Sequence, residues 1–246
     1  MGDYKLIALD MDGTLLNKGA ISEENVKCIQ AVLEQGKNVI LATGRPIRDV
    51  LPYTEKLNLE LPLVINNGSE VWRTPKALHS RHLLTGEQVE RICKYIFSLD
   101  QNIEYWAHTV RGTVDQSNFP DNCESVQWLQ FAVKTEDEAL RHRIREELAA
   151  WNTFEISNSS VNNIECNPIG VSKASGLTEI CRMIGIEMSE VIAVGDSLND
   201  ISMICAAGLG VAMGNAQQAV KDAADHVAPT NRENGVAAVI KRFMVS

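Results

Sequence analysis

Apolar residues gather in short unbroken bursts near both ends of the chain. Leu6 to Leu9, Lys37-Asn-Val-Ile-Leu-Ala42, Leu61-Pro-Leu-Val-Ile65, Val191-Ile-Ala-Val-Gly195 and Leu209-Gly-Val-Ala-Met213 are such runs. Successive apolar residues are what a strand buried on both faces requires. Between the runs the apolar period changes to that of a helix. Ser22 precedes Val26, Ile29, Val32 and Leu33, and Ser172 precedes Leu177, Ile180, Cys181 and Ile184. Serine at these positions suits a helix N-cap, and Pro46 suits the first turn of a further helix. A turn at Asn66-Asn-Gly68 leads into a short strand through Val71-Trp72, and His226-Val-Ala-Pro229 reads as a short edge. Strands alternating with helices predict a parallel sheet covered on both faces.

The middle of the chain has another rhythm. Thr85-Gly-Glu-Gln88 forms a capping box ahead of Val89, Ile92, Cys93, Ile96 and Phe97 at helical spacing. Strand-like runs follow near Ile103–His108 and Val126–Val133, separated by a polar loop from Asp115 to Ser125. A second helix runs from near Thr135 towards Ala150, then two strands, Thr153–Ser157 and Val161–Cys166. This order predicts an antiparallel sheet with two helices on one side. The chain therefore reads as one Rossmann-like α/β core, residues 1–81 and 169–246, interrupted by an inserted α+β domain at 82–168.

Composition narrows the partners. Of 246 residues 45% are hydrophobic, enough for a large core, and 23 basic against 32 acidic side chains give a net charge of −9. That balance argues against nucleic acid or an anionic membrane as the main partner, and leaves a small anionic ligand open. The six cysteines show no C-x-x-C pair and read as buried free thiols, suited to a reducing cytoplasm. No signal peptide and no membrane span are expected. Met1-Gly2 could begin a myristoylation signal, but position 6 is Leu.

Chemistry collects where the predicted strands end, the edge of an open α/β sheet at which ligands bind. Asp10 and Asp12 follow the first run, Thr43-Gly44-Arg45 the second, and Asp196, Asn199 and Asp200 the run Val191–Val194; Lys173 opens a helix. Asp10, Asp12 and Asp196 together would make a hard oxygen site suited to Mg2+. Lysine, a threonine hydroxyl and backbone N–H groups beside it would suit a phosphate. One carboxylate could then act as nucleophile and its neighbour two residues on as general acid and base. An EF-hand starting at Asp10 is excluded, since its twelfth position is Ile21 rather than Glu. In isolation, Thr43-Gly44 is also consistent with a plain turn, Lys173 with a solvated helix end, and Asp200 with a cap for the helix near Ile201. Arg45 could reach a substrate, but pairing with a surface acid is favoured.

Taken in order, "DMDGTLL", "ATGR", the lysine of "GVSKASGL" and "GDSLND", with "INNG" ahead of the insert, resemble the motifs of haloacid-dehalogenase-superfamily phosphatases of the Cof type. The resemblance covers the whole core, and the insert has the place and element order of a C2-type cap. It implies that Asp10 attacks phosphorus to give a phospho-aspartyl intermediate, and that Asp12 protonates the leaving alcohol and then activates water. It implies Mg2+ held by the Asp10 carboxylate, the Asp12 carbonyl and Asp196, with Asp200 supporting the site directly or through water. Thr43, Gly44, Lys173, Asn199 and the Met11 amide would bind the phosphoryl group. The substrate expected is a small phosphate ester, a sugar phosphate or related metabolite, handled by a monomer or weak homodimer. A phosphohexomutase-type phosphotransferase and a catalytically silent phosphate-binding protein are the alternatives.

Overall fold

The computed structural model describes residues 3–60, 62–99 and 103–245. Met1 and Gly2, weighed above as a lipidation signal, and Leu61, expected to open the third strand, lie outside them. Contacts divide the chain into two compact units, one made of the chain up to Ser80 and from Ser172 onward, the other of Arg81–Val171.

The first unit is built on an eight-stranded sheet. Its strands are β1 (Leu6–Leu9), β2 (Asn38–Ala42), β3 (Leu63–Ile65), β4 (Glu70–Thr74) and β5 (Ala77–Arg81, whose last residue is counted with the second unit). The helices α1 (Glu23–Glu34) and α2 (Ile47–Leu57) lie between the first three. In the second unit come α3 (Gly86–Ser98), β6 (Glu104–Thr109), β7 (Gly112–Asp115), β8 (Trp128–Lys134), α4 (Glu138–Ala150), β9 (Phe154–Ser157) and β10 (Asn163–Pro168). The chain then returns through α5 (Lys173–Ile184), β11 (Val191–Gly195), α6 (Ile201–Ala206), β12 (Leu209–Ala212), α7 (Gln218–Ala223), β13 (His226–Val227) and α8 (Gly235–Phe243).

Strand order in the large sheet is β13-β12-β11-β1-β2-β3-β4-β5, parallel from β13 to β3 and antiparallel between β3 and β4. β1 is central and buried at every position, because β11 and β2 flank it and it lies within the hydrophobic core that the unit's helices share. That environment is why Leu6-Ile-Ala-Leu9 carries no polar side chain. The second unit has an antiparallel sheet, β7-β6-β8-β10-β9. Phe131, Val133, Ile164 and Cys166 pack into its own core with Val89, Ile92, Ile144 and Leu148 from α3 and α4. Gln130, Glu165 and Asn167 alternate with those residues, so they point to the opposite face, yet they too are buried.

Two strands escape the hydrophobic pattern. β5 is an exposed edge with Leu78 open to solvent, and β7 is the short polar stretch Gly-Thr-Val-Asp. Both are hairpin returns, held by backbone pairing to a neighbour rather than by burial. Pro46 precedes α2 as its N-cap instead of occupying the first turn. Cys28, Cys93, Cys166 and Cys181 are buried as free thiols, Cys123 is half-buried and Cys205 is exposed. No helix among the described residues is long and apolar enough to cross a membrane.

Candidate active site

The carboxyl ends of three adjacent strands build the site. The Asp10 amide donates to the Val194 carbonyl at 3.0 Å, extending the β1–β11 ladder one residue past β1. This places the Asp10 side chain just beyond the buried sheet, 5% exposed. Next door, Gly195 ends β11 and Asp196 follows; on the other side β2 ends at Ala42 and Thr43 follows.

Lys173 is the first residue of α5, whose N-cap Ser172 forms a capping box with Ser175. The alternative weighed for this lysine in isolation, a solvated helix end, does not hold, because the lysine is fully buried. Its ammonium donates to Asp10 Oδ1 at 2.6 Å and to Asp200 Oδ1 at 2.7 Å. Asp200 precedes α6 but makes no side-chain cap bond to it. Its other oxygen, Oδ2, accepts from the Asp196 and Ser197 amides at 2.8 and 3.0 Å. Both Asp200 oxygens are thus engaged in holding other parts of the site.

Asp196 accepts from the Thr14 hydroxyl at 3.1 Å and from the Ser197 hydroxyl at 3.3 Å. Ligand atoms of Asp10, Asp196 and Asp200 all lie within 4.8 Å of one another. Two buried carboxylates, Asp10 and Asp200, and the half-buried Asp196 therefore gather around the Lys173 ammonium. If all three ionise, two negative charges remain unbalanced at low dielectric. Burial, reinforced by the Asp200 charge, holds the Asp10 carboxyl well above the ordinary carboxylate range, against the pull of Lys173. Burial and Asp200 likewise push Asp196 up to about 7, while the Thr14 hydroxyl pulls it back. For Lys173, burial opposes the charge, but Asp10 and Asp200 outweigh it and hold the ammonium above the ordinary lysine value. Hard oxygen donors with two surplus charges fit a divalent cation such as Mg2+.

Asp12 is placed apart from this cluster. Its carboxylate is about half exposed and meets Arg45 in a two-pronged pair, Nε to Oδ2 and Nη2 to Oδ1, each 2.6 Å. Arg45 thus pairs with an acid, as favoured from the sequence, and that acid is Asp12, itself a candidate catalytic residue. The guanidinium also lies 5.4 Å from the centre of the Tyr53 ring, and the Asp12 hydrogen bonds keep it firmly charged. Thr43 is buried, and its hydroxyl oxygen accepts from the Arg45 amide at 3.2 Å. Gly44 lies beside the Asn67 amide, to which Asn199 Nδ2 donates at 3.0 Å. Met11 sits between the two acids with its side chain in the core. Asp10, Lys173, Asp196 and Asp200 are in direct contact, Thr43, Gly44 and Asn199 are linked through Asn67, and Asp12 through Arg45.

Sequence reasoning left out Gly13, Thr14, Ser197 and Asn67. All four had a signal, since Gly13 and Thr14 belong to the "DGT" of the first motif, Ser197 to "GDSLND" and Asn67 to "INNG". Gly13 takes a φ of +82°, and a Cβ there would stand 2.4 Å from Asp196 Oδ2. Gly13→Ala is expected to cost about 2–3 kcal/mol, combining backbone strain with overpacking. Thermal unfolding checks this; an unchanged midpoint would mean that the Asp196 carboxylate has room to yield.

A family model described as haloacid dehalogenase-like hydrolase matches residues 7–138 and 108–240. The chain is 42% identical over 244 residues to the 5-amino-6-(5-phospho-D-ribitylamino)uracil phosphatase YcsE of Bacillus subtilis, spanning 99% of this chain and 97% of that protein. It is 31% identical over 271 residues to the 5-amino-6-(5-phospho-D-ribitylamino)uracil phosphatase YbjI of Escherichia coli, spanning 98% of this chain and 96% of that one. Among solved structures, a haloacid dehalogenase-like hydrolase from B. subtilis matches with a TM-score of 0.88 at 26% identity, covering 97% of this chain and 99% of its own.

Proposed function

The chain belongs to the haloacid dehalogenase-like hydrolases, and from that premise we propose that it is a Mg2+-dependent phosphatase of small phosphorylated metabolites. The observation that carries this reading is the buried Asp10 carboxylate held by Lys173 at 2.6 Å inside a cluster of three acids. Lys173 occupies Oδ1, and Oδ2 has no side-chain hydrogen bond among the described residues, so Oδ2 is the oxygen we assign to attack.

In the proposed reaction that oxygen forms a bond to phosphorus as the ester P–O bond breaks. Asp12 gives its proton to the departing alkoxide, so an alcohol leaves and Asp10 carries the phosphoryl group. A water then attacks the same phosphorus while Asp12 takes its proton. The Asp10–phosphorus bond breaks, and inorganic phosphate is released with both acids restored. Arg45 orients Asp12 for both transfers. Lys173, the Thr43 hydroxyl, the Gly44 region, Asn199 and the Met11 amide are assigned to the phosphoryl oxygens, which they would hold in line for transfer.

We assign cation binding to the Asp10 and Asp196 carboxylates with the Asp12 carbonyl, and give Asp200 the orienting role that its two engaged oxygens support. When bound, the cation would supply charge neutralisation at the phosphoryl oxygens.

This assignment carries a pH dependence. The Asp196 carboxyl is held at about 7 in the folded protein, above its ordinary value near 3.9. Between those values the folded metal-free protein binds more protons than the unfolded chain, so its stability falls as pH rises. Cation binding needs the ionised form and opposes that loss. The rise in melting temperature on replacing EDTA with Mg2+ is expected to be several degrees larger at pH 8 than at pH 5.5. Paired thermal melts test it; an equal shift at both pH values would remove Asp196 from the cation site.

For substrate, we propose a phosphorylated sugar or sugar alcohol, and rank 5-amino-6-(5-phospho-D-ribitylamino)uracil first because relatives at 42% and 31% identity are named for it. The same reading has the enzyme acting in the cytoplasm on free metabolites, as a monomer or weak homodimer. Release of inorganic phosphate across a metabolite panel with Mg2+ is the test. Activity confined to phosphoproteins would contradict the substrate class, and interconversion of hexose phosphates without free phosphate would replace hydrolysis by phosphoryl return.

A further inference from the structure

The turn at Asn66-Asn67-Gly68 touches three of the segments that the phosphatase reading assigns to the phosphoryl group: the Thr43-Gly44 loop, Asn199 and the start of the helix that carries Lys173. The Asn67 amide donates to the Thr43 carbonyl at 3.0 Å, and the Asn66 amide to the Arg45 carbonyl at 3.1 Å. These two bonds clamp the loop that carries Thr43 and Gly44. The Asn67 side-chain oxygen accepts from Asn199 Nδ2 at 3.0 Å and lies 3.1 Å from where a Gly44 Cβ would stand. At Gly68, with φ +100°, a Cβ would come within 2.2 Å of the Ser172 carbonyl, so the turn packs directly on the cap of the helix that begins with Lys173. Asn66 and Asn67 both adopt left-handed backbone, at φ 49° and 55°, and both are buried. Consecutive non-glycine residues seldom hold that conformation unless their surroundings impose it.

Asn199 completes the picture. It is 6% exposed, and its Oδ1 has no hydrogen-bond partner among the described residues. One Nδ2 proton is taken by Asn67, so the second is the donor left for a phosphoryl oxygen, an acceptor that the bare Oδ1 could not itself bind.

We propose that Asn67 is the positioning residue of the phosphoryl pocket: its side-chain oxygen fixes the Asn199 amide, and its backbone ties that amide to the Thr43-Gly44 loop. Resting on the phosphatase reading, this deepens it, since Asn67 touches no reacting atom and acts through Asn199. An interaction of this kind belongs equally to bound ester, transition state and product phosphate, so its loss should raise KM and leave kcat nearly unchanged.

The test is a double-mutant cycle in the full chain with Mg2+. Asn67→Gly keeps the left-handed turn and deletes the acceptor. It is expected to raise KM for p-nitrophenyl phosphate, and to weaken calorimetric binding of inorganic phosphate, by about tenfold each, with kcat within about threefold. In an Asn199→Ala background the same substitution is expected to change both by less than about twofold. An equal tenfold step in both backgrounds, or undiminished phosphate binding by Asn67→Gly, would overturn the proposal. A second measurement needs no Asn67 variant. In wild type labelled with 15N-asparagine, and assigned by the signal lost in Asn199→Ala, one Asn199 Nδ2 proton should be protected from solvent exchange before phosphate is added. Rapid exchange of both protons would refute the anchoring. Failure of wild type to hydrolyse any ester would sink the phosphatase reading while leaving the exchange measurement to judge Asn67.

Discussion

Asp10→Asn is expected to abolish phosphate release, with kcat lowered by at least about 10⁴-fold, the scale on which loss of a covalent nucleophile registers. The substitution changes an oxygen to an amide nitrogen and little else in shape. It removes the negative charge that would attack phosphorus and one carboxylate proposed to hold the cation. Folding should survive. Asp10 is pushed well above the ordinary carboxylate range by burial and by Asp200, so its ionised form is a burden on the metal-free protein at neutral pH. Neutralising it should leave the melting temperature in EDTA equal to or above that of wild type, while the stabilisation by Mg2+ shrinks. Phosphate release and paired melts read the two effects separately. Substantial residual turnover by Asp10→Asn would move the nucleophile elsewhere and with it the whole assignment.

The second large effect is on the opposite charge. Lys173→Met should lose activity and also destabilise the protein, by about 3–5 kcal/mol at pH 8, the usual cost of removing one partner from a buried ion pair. Among the described residues the ammonium is the one basic group paired with the buried acids, bonded to Asp10 and Asp200 together. Its folded-state pKa lies above the ordinary lysine value, so its contribution is present in full at every pH below that value and is lost only in strong alkali. The deficit in the variant should therefore vary with pH through the acids left behind. Asp10 and Asp196 can take up protons at pH 5.5, which relieves the repulsion, so the loss of stability should be smaller there than at pH 8. Urea unfolding at the two pH values measures the difference. A loss equal at both would show that packing of the lysine stem, rather than its charge, is what the site depends on.

Much of this arrangement was legible from local pattern. A strand buried on both faces must be apolar throughout, so the polar residues that end it stand out: Asp10 after Leu6–Leu9, Thr43 after β2, and Asp196 after β11. Helix starts were equally plain, because capping side chains act within three residues, as Ser172 and Thr85 do. β5 and β7 were not legible, since an edge strand needs a neighbour's backbone rather than an apolar run of its own. The polar row Gln130, Glu165 and Asn167 in the second unit was missed for a related reason: its burial has no counterpart in composition.

What the sequence alone determined is which candidate residues stand at the strand ends and in what order, because hydrophobic period and capping are properties of neighbours along the chain. Only the tertiary structure decided the partnerships. Lys173 reaches Asp10 across 163 residues, Asn199 reaches Asn67 across 132, and Thr14 reaches Asp196 across 182. It also decided that Arg45 takes Asp12 and that Asp200 orients rather than caps. Those pairings, and the burial that displaces the Asp10 and Asp196 carboxyls from their ordinary range, follow from placing β1 between β11 and β2. Electrostatic strength depends on distance and on exclusion of water, and neither exists until the strands are side by side.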